Sequence, residues 1–271
     1  MLRSLQRCGI EYLWQGDPAY WSGQAPICFP ITGALPGGQA EAYGRHCQMP
    51  RHGFARNCEF ICTQNQEDSV TFSLRADRQT KLAYPFDFEL GIKYTLSADT
   101  LYNEYIIINH DAQTMPFFIG GHPAFNCPLI KNETFEDYSI LFGTAETAQC
   151  LRADIHTGCV SSRERYPVCS APGKISLDHR LFDSDAMIFD TLRSNTVTLA
   201  GPSGHGVTMD FTGFGTLLIW SSANNAPFVA LEPWTGMAGI SDTAGVFEEK
   251  AGVTLLKPGK TAAYTFALTL F

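Results

Sequence analysis

The 271-residue sequence predicts an all-β protein with the architecture of a large antiparallel β-sandwich. Three observations favour this fold class. Apolar residues recur at every second position in several segments, helical periodicity is nearly absent, and Gly, Pro, Asn or Ser bound the alternating segments. Hydrophobic residues make up 45% of the chain and charged residues 17%. A sandwich of this length commonly forms one domain, so we expect a single domain over residues 1–271.

The strand pattern is clearest between Phe86 and Leu96, where apolar residues alternate mainly with polar or small ones. Residues 97–100 separate this segment from a run rich in β-branched and aromatic residues, Leu101 to Ile108, which we expect to be its hairpin partner. The same alternation recurs elsewhere in Val70, Phe72 and Leu74; in Val197 and Leu199; in Val207, Met209 and Phe211; and in Tyr264, Phe266, Leu268 and Leu270. Only Asp17 to Trp21 and Glu133 to Tyr138 could form a helical turn or two.

Net charge and hydropathy exclude several classes of partner. A formal net charge of −8 gives no general attraction for nucleic acid. No segment is apolar over the length of a signal peptide or a membrane span, so we expect a cytoplasmic protein that does not bind a membrane.

The nine cysteines predict neither a disulfide framework nor a metal site. They are scattered through apolar surroundings without a C-x-x-C pair, which is typical of reduced, packed thiols. Cys58 and Cys62 are the closest pair, but no further ligands stand at matching spacing, so we expect no metal.

Two apolar segments end in an ionisable residue followed by proline. His122 lies in Phe117–Pro123, and Glu232 lies in Phe228–Trp234. Proline pushes the preceding residue into an extended conformation, so both backbones are partly fixed by sequence. Imidazole titrates near neutrality and an apolar setting raises the pKa of a carboxyl group, so the two could form an acid/base pair. The alternative is a core histidine and a solvent-facing carboxylate at a strand end.

Familiar catalytic motifs do not compete with this pair. The sequence contains no G-x-x-x-x-G-K-[ST] phosphate loop, no G-x-S-x-G elbow and no H-E-x-x-H helix. Kinase, serine hydrolase and zinc protease functions therefore lose their main support.

Four blocks in order resemble the aldose 1-epimerase (galactose mutarotase-like) family, in particular its lactose-operon X protein-like branch. They are Glu11–Trp21, Met49–Arg56, Gly120–Asn126 and Leu231–Gly236, and the resemblance runs essentially from end to end. It implies the galactose mutarotase-like supersandwich, a large β-sandwich whose concave face binds a sugar.

The resemblance also implies the chemistry. Glu232 would act as general base on the anomeric hydroxyl while His122 protonates the ring oxygen, which opens the ring to the aldehyde. Rotation about C1–C2 and closure with the roles reversed would give the other anomer, without cofactor, metal or covalent intermediate.

Further residues match the family's sugar site. His52 and Arg56 would donate hydrogen bonds to sugar oxygens, and Arg51 beside them could add a donor. Independently of the resemblance, Trp234 offers a flat apolar face of the kind that packs against a sugar ring. Asp185 matches the family's hydroxyl-binding aspartate, with Asp183 and Asp178 as alternatives. A surface ion pair for Arg51 and a turn-forming role for each aspartate are the purely structural explanations.

Three functions stay open from the sequence: mutarotation of a free aldohexose, the same reaction on a hexose 6-phosphate, and a non-catalytic sugar-binding module. The partner is a small-molecule sugar in each case, and the protein would be a monomer or homodimer. Family members usually carry about one more strand before Leu2, so we expect either a misassigned start site or a missing edge strand that leaves a sheet edge open.

Overall fold

The computed structural model describes residues 1–160, 164–240 and 245–271, and its regular structure is almost entirely β. The strands, in chain order, are β1 (Gln6–Arg7), β2 (Ile10–Glu11), β3 (Ile27–Cys28), β4 (Gln39–Ala42), β5 (Arg45–Gln48), β6 (Ile61–Asn65), β7 (Ser69–Arg75), β8 (Phe88–Ser97), β9 (Thr100–Asn109), β10 (Met115–Phe117), β11 (Gly120–Gly121), β12 (Ala124–Asn126), β13 (Ser139–Phe142), β14 (Gln149–Arg152), β15 (Tyr166–Pro167), β16 (Lys174–Ser176), β17 (Met187–Phe189), β18 (Thr196–Ala200), β19 (Gly206–Asp210), β20 (Thr216–Trp220), β21 (Phe228–Trp234), β22 (Thr254–Leu256) and β23 (Thr261–Leu270).

Two large sheets organise these strands. One has nine strands in the order β16-β13-β18-β19-β23-β9-β8-β7-β6, and the other has eight, in the order β15-β14-β17-β20-β21-β11-β3 with β12 also paired to β21. Within the described residues, every ladder between named strands is antiparallel. The predicted all-β, antiparallel fold class is confirmed.

One hydrophobic cluster includes buried residues of both sheets. Phe142 of the nine-stranded sheet meets Phe189 of the eight-stranded sheet with ring centroids 5.6 Å apart. Full burial of a side chain of this size stabilises the fold by about 1.5–3 kcal/mol, and the cluster contains many such residues. The core therefore holds the eight-stranded sheet, which carries His122 and Glu232, against the other sheet.

The hairpin of β8 and β9 has the predicted alternation but a tighter turn. Ser97 pairs with Thr100, so only Ala98 and Asp99 connect the strands rather than the four residues expected. Ala98 has a φ of 51°, the left-handed geometry that a short connection requires. Alternate residues from Phe88 to Ile92 are buried, but Leu96 at the hairpin's end is 52% exposed, against the prediction.

Helical structure is as scarce as the sequence indicates. Asp17 to Trp21 forms a single hydrogen-bonded turn, and 133–138 contains the 3-10 turn Phe135–Asp137. The other 3-10 turns are Pro36–Gly38, Ala55–Asn57, His179–Phe182 and Phe247–Glu249. Sequence periodicity missed the α-helix Arg78–Ala83, α1.

Helix α1 begins at an N-capping box. The Asp77 side chain accepts from the Thr80 amide at 2.7 Å, and the Thr80 hydroxyl accepts from the Asp77 amide at 2.8 Å. Six residues are too few for a periodic signal, so only this capping pattern could have identified the helix. Within the described ranges, no helix has the length and apolar character needed to cross a bilayer.

All nine cysteines are free thiols. Five are buried, and only Cys8 and Cys62 are exposed, in agreement with the packed thiols expected.

Candidate active site

Strand β11 places His122 beside the strand that carries Glu232. Gly120 pairs with Cys28 on one side and with Trp234 on the other, and the His122 amide donates to the Pro26 carbonyl at 3.0 Å. A Cβ atom at Gly120 would lie 2.3 Å from Cδ1 of Trp234. Glycine is therefore required for β11 to pack this closely against β21.

Strand β21 carries Glu232 through the buried part of the eight-stranded sheet. All seven of its residues are buried, and Leu231 belongs to the main core. Because neighbouring side chains of a strand point to opposite faces, Glu232 points away from that core. It lines a cavity on the other face, together with its cross-strand partner Leu218.

The two predicted catalytic side chains meet inside this cavity. Nε2 of His122 lies 3.3 Å from Oε1 of Glu232, and the side chains are only 7% and 3% exposed. Nδ1 of His122 and Oε2 of Glu232 are buried without a protein hydrogen-bond partner. The structure therefore brings an imidazole and a carboxyl group into direct contact and leaves an oxygen of the carboxyl group free for a ligand.

Burial sets the protonation of this pair. Loss of hydration, followed by the positive charges of Arg56 and Arg51, lowers the pKa of His122 to about 3, although its own backbone carbonyl opposes the shift. Loss of hydration also raises the pKa of Glu232 well above its usual range, which Arg51 opposes and Asp185 reinforces. Both shifts favour the neutral forms of the two groups. The proton that Glu232 and Nε2 of His122 can exchange is therefore favoured on Glu232.

A second imidazole, His52, lines the cavity with a defined tautomer. Its Nδ1 accepts from the Gly33 amide at 3.2 Å, so Nε2 carries the hydrogen. Burial, and then the charge of Arg56, lowers its pKa well below the usual value and keeps the ring neutral. Neutral His52 can therefore donate one hydrogen bond from Nε2 into the cavity.

His52 and the next residue both have left-handed backbones, with φ of 67° at His52 and 71° at Gly53. A Cβ atom at Gly53 would lie 2.2 Å from the Phe29 carbonyl oxygen. This tight turn leads into the 3-10 turn Ala55–Asn57, which carries Arg56.

The two arginines differ in their partners. Nη2 of Arg51 donates to Oδ2 of Asp185 at 3.2 Å, so the ion pair expected for Arg51 exists but lies within the cavity. Arg56 forms no ion pair with a carboxylate of the described residues, and its Nη2 donates a weak hydrogen bond to the Cys28 thiol at 3.9 Å. Arg56 is therefore the arginine whose guanidinium remains available to a ligand.

Asp185 is the one of the three candidate aspartates that lines the cavity. It is 8% exposed, with a left-handed φ of 66°. Asp178 caps the 3-10 turn His179–Phe182 and pairs with Arg180, and Asp183 is exposed.

Three indoles form the apolar walls. Trp21 stacks on the His122 ring with centroids 4.8 Å apart and planes at 22°. Trp220 meets the same ring edge-on at 5.5 Å, and Trp234 meets His52 edge-on at 5.3 Å. Sequence reasoning selected Trp234 but assigned no role to Trp21 or Trp220. Two signals in the sequence could have identified these residues. Trp21 is the last residue of the first matched block, and Trp220 lies two residues after Leu218, so both point to the same face of the strand.

The cavity has a volume of about 310 Å³, at the lower end of the range for small-molecule sites. All seven residues selected from the sequence line it, together with four others: Trp21, Ala186, Leu218 and Trp220. Nowhere in the described part of the chain do three or more His, Cys, Asp or Glu side chains form a metal-binding group. The donors and indole faces suit a small polyhydroxylated ligand with apolar ring faces.

Comparison with known proteins identifies the family. The family model described as aldose 1-epimerase matches residues 2–269. The plasmid and chromosomal LacX proteins of Lactococcus lactis subsp. lactis are each 40% identical over 271 residues, which cover 97% of this chain and 90% of theirs. The predicted family resemblance is confirmed.

Solved structures agree with the fold. A galactose mutarotase related enzyme from Lactobacillus acidophilus has a TM-score of 0.89 at 31% identity, covering 97% of this chain and 88% of that one. A galactose mutarotase-like protein from Lactobacillus casei has a TM-score of 0.88 at 28% identity, covering 97% and 90%.

Proposed function

Because the chain belongs to the aldose 1-epimerase family, we propose that it is a cofactor-independent isomerase that interconverts the α and β anomers of a free aldohexose. The observation that carries the proposal is the 3.3 Å contact between His122 Nε2 and Glu232 Oε1 at a buried position in a cavity of sugar size. Mutarotation needs one group that takes a proton and one that gives a proton within reach of neighbouring oxygens, and this pair supplies both.

The unliganded pair must first exchange its proton. Hydroxyl groups of a bound sugar that donate to Glu232 stabilise its charged form, as do the charges of Arg51 and Arg56. The proton then moves across the 3.3 Å contact to His122, which leaves Glu232 as base and His122 as acid.

Ring opening follows from these protonation states. Glu232 takes the proton from the anomeric hydroxyl, the C1–O5 bond breaks as C1=O1 forms, and His122 gives its proton to O5. After rotation about C1–C2, His122 takes the O5 proton back while O5 attacks the other face of C1. Glu232 then protonates O1, and the site returns to its starting state.

Other cavity residues bind and orient the sugar in this proposal. Neutral His52 donates from Nε2, Arg56 donates from its unpaired guanidinium, and the Arg51–Asp185 pair offers a donor and an acceptor to neighbouring hydroxyls. Trp234, Trp21 and Trp220 cover the apolar faces of the ring. The Arg51 charge is already matched by Asp185, which favours a neutral sugar over a hexose 6-phosphate.

Polarimetry of freshly dissolved α-glucose and α-galactose tests the proposal. Wild-type protein should accelerate the change in rotation beyond the spontaneous rate, and Glu232→Gln should lower the catalysed rate by about 10²–10⁴-fold. Glu67→Gln, at an exposed position, is the matched control and should behave like wild type.

Two results would contradict the proposal. If the protein accelerated the mutarotation of hexose 6-phosphates alone, its substrates would be phosphorylated sugars. Sugar binding without acceleration of either class would indicate a binding module.

A further inference from the structure

A second, much smaller cavity lies against His122, apart from the sugar cavity. It has a volume of about 10 Å³, the size that holds a single water molecule. Its polar lining residues are His122, Asn103 and Tyr105, and its other walls are apolar. Asn103 and Tyr105 belong to β9 of the opposite sheet, so this cavity lies between the two sheets.

Gly121 allows the opposite sheet to approach the backbone next to His122. A Cβ atom at this position would lie 3.0 Å from the Tyr105 hydroxyl oxygen and 2.9 Å from Cε1 of Phe266. Any larger residue would therefore displace the Tyr105 hydroxyl or the Phe266 ring.

Three buried polar groups at this cavity have unused hydrogen-bonding capacity. Oδ1 of Asn103 has no protein hydrogen-bond partner, and Nδ1 of His122 makes no well-aligned hydrogen bond to the protein, since its own backbone carbonyl only contributes electrostatically. The Tyr105 hydroxyl accepts from Nδ2 of Asn103 at 3.3 Å, which leaves its own hydrogen to be donated. A buried polar group without a hydrogen-bond partner destabilises the fold, so each of these groups favours a bound partner.

We propose that one structural water molecule binds in this cavity and fixes the tautomer of His122. The water accepts from Nδ1–H of His122 and from the Tyr105 hydroxyl, and it donates to Oδ1 of Asn103. Three hydrogen bonds are the usual number for a buried water. The complementary pattern of two donors and one acceptor satisfies all three groups with one molecule.

The water has a direct consequence for the imidazole. It keeps the hydrogen on Nδ1 in both the neutral and the charged ring, so only Nε2, which faces Glu232, exchanges a proton. Asn103 and Tyr105 are therefore positioning residues for His122. The water site stands on geometry alone, whereas its effect on turnover rests on the proposed mutarotase function.

A crystal structure with ordered solvent tests the water site without reference to activity. We expect one water molecule within hydrogen-bond distance of Nδ1 of His122, the Asn103 side chain and the Tyr105 hydroxyl. A cavity without solvent density, or a direct protein partner for Nδ1, would overturn the proposal.

The tautomer is tested by ¹⁵N NMR of histidine-labelled protein, with His122→Gln to assign the signals. Wild type should show hydrogen on Nδ1 of neutral His122, whereas Asn103→Leu and Tyr105→Phe should shift the signals toward the Nε2–H form. Tyr264→Phe is the matched control, because Tyr264 is the cross-strand partner of Tyr105 but its hydroxyl contacts Thr254 at 2.8 Å.

Kinetics separate positioning from simple loss of structure. Acid–base catalysis contributes about 10²–10⁴-fold, so a partly wrong tautomer should lower kcat at least about tenfold while KM changes little. Tyr105→Phe keeps the ring and is the decisive variant if Asn103→Leu fails to fold. A Tyr105→Phe protein with the wild-type tautomer would contradict the positioning role, and this result does not depend on whether the protein catalyses mutarotation.

Discussion

His122 and Glu232 owe their chemistry to where the chain buries them. In water a carboxyl group is ionised at neutral pH and an imidazole is partly charged, but both are neutral in this cavity because burial removes their hydration. Burial therefore makes the carboxyl group, rather than the imidazole, the group that holds the proton. In the proposed reaction a bound sugar reverses this order.

Replacement of Glu232 should change the dependence of stability on pH. The pKa of Glu232 is raised in the folded state, so above the unfolded pKa of about 4.5 the folded protein keeps a proton that the unfolded chain releases. Stability is then lost as pH rises toward the folded pKa. Gln has no such proton, so the free energy of unfolding of Glu232→Gln relative to wild type should increase with pH. The ratio of the two unfolding constants should change by at most about tenfold per pH unit.

Urea titrations of both proteins between pH 5 and pH 8 measure this difference. His122 is present in both chains, so its own acid-side contribution largely cancels. A difference that stays constant over this range would show that Glu232 is not held protonated.

Arg152 positions Asp185 from outside the sugar cavity. Its Nη1 donates to the Asp185 carbonyl at 2.9 Å and to the Leu181 carbonyl at 2.7 Å, which holds the segment on which Asp185 has its left-handed backbone. Arg152→Met removes both hydrogen bonds, so we expect KM for the sugar to rise about tenfold, equivalent to about 1.4 kcal/mol, with kcat nearly unchanged. Steady-state kinetics measure the split.

Arg180→Met is the matched control for Arg152→Met. Arg180 is close in the chain to Asp185, but its side chain is 85% exposed and pairs with Asp178. An equal rise in KM in both variants would contradict a specific role for Arg152.

The turn that presents His52 and Arg56 depends on a glycine. Gly53→Ala combines a left-handed alanine with a Cβ atom 2.2 Å from the Phe29 oxygen, whereas Gly44→Ala, with φ of 74° at the tip of the β4–β5 hairpin, meets nothing within 4 Å. We expect Gly44→Ala to cost about 1–2 kcal/mol of stability because its backbone is left-handed, and Gly53→Ala to cost about 1–3 kcal/mol more. Only Gly53→Ala should weaken sugar binding.

Thermal unfolding and sugar titration of the two glycine variants test this difference. Equal destabilisation would indicate that the Gly53 turn relaxes without moving its neighbours.

Strand elements were easier to predict than the connections between them. The alternation that identifies β8 and β9 is dictated by burial of one face, so it is visible in the sequence. The two-residue turn at Ala98 and Asp99, with its non-glycine left-handed residue, has no comparable signal. Helix α1 has six residues, too few for a periodic pattern, so its capping box is its main sequence signal.

At the scale of the whole molecule, the fold gathers distant segments at one cavity. Residues as far apart in the chain as Trp21, His52, His122, Asp185 and Glu232 line it together. Seven of the eleven residues that line the cavity were selected from the sequence, through the proline-bounded strand ends and the family motifs. The Trp21 stack on His122 depends on how a loop folds over the sheet, and the water-sized cavity beside Asn103 depends on how the two sheets pack. Periodicity and short motifs reveal neither.

Ligand binding to the folded protein should separate recognition from catalysis. A sugar at 100 times its Kd stabilises the folded state by about 2.7 kcal/mol, so thermal unfolding in glucose or galactose should move to a higher midpoint. Glu232→Gln keeps the other donors and the indole walls and should retain most of this shift. Loss of the whole shift in Glu232→Gln would mean that the residue serves binding rather than proton transfer.

Exchange NMR of the anomeric protons at equilibrium tests the acid/base pair most directly, since it measures interconversion without freshly dissolved sugar. Wild-type protein should give exchange cross-peaks between the α and β signals of an aldohexose at mixing times at which buffer alone gives none, and Glu232→Gln should abolish them while still binding sugar. Absence of exchange with folded wild-type protein, or equal exchange with Glu232→Gln, would contradict the account.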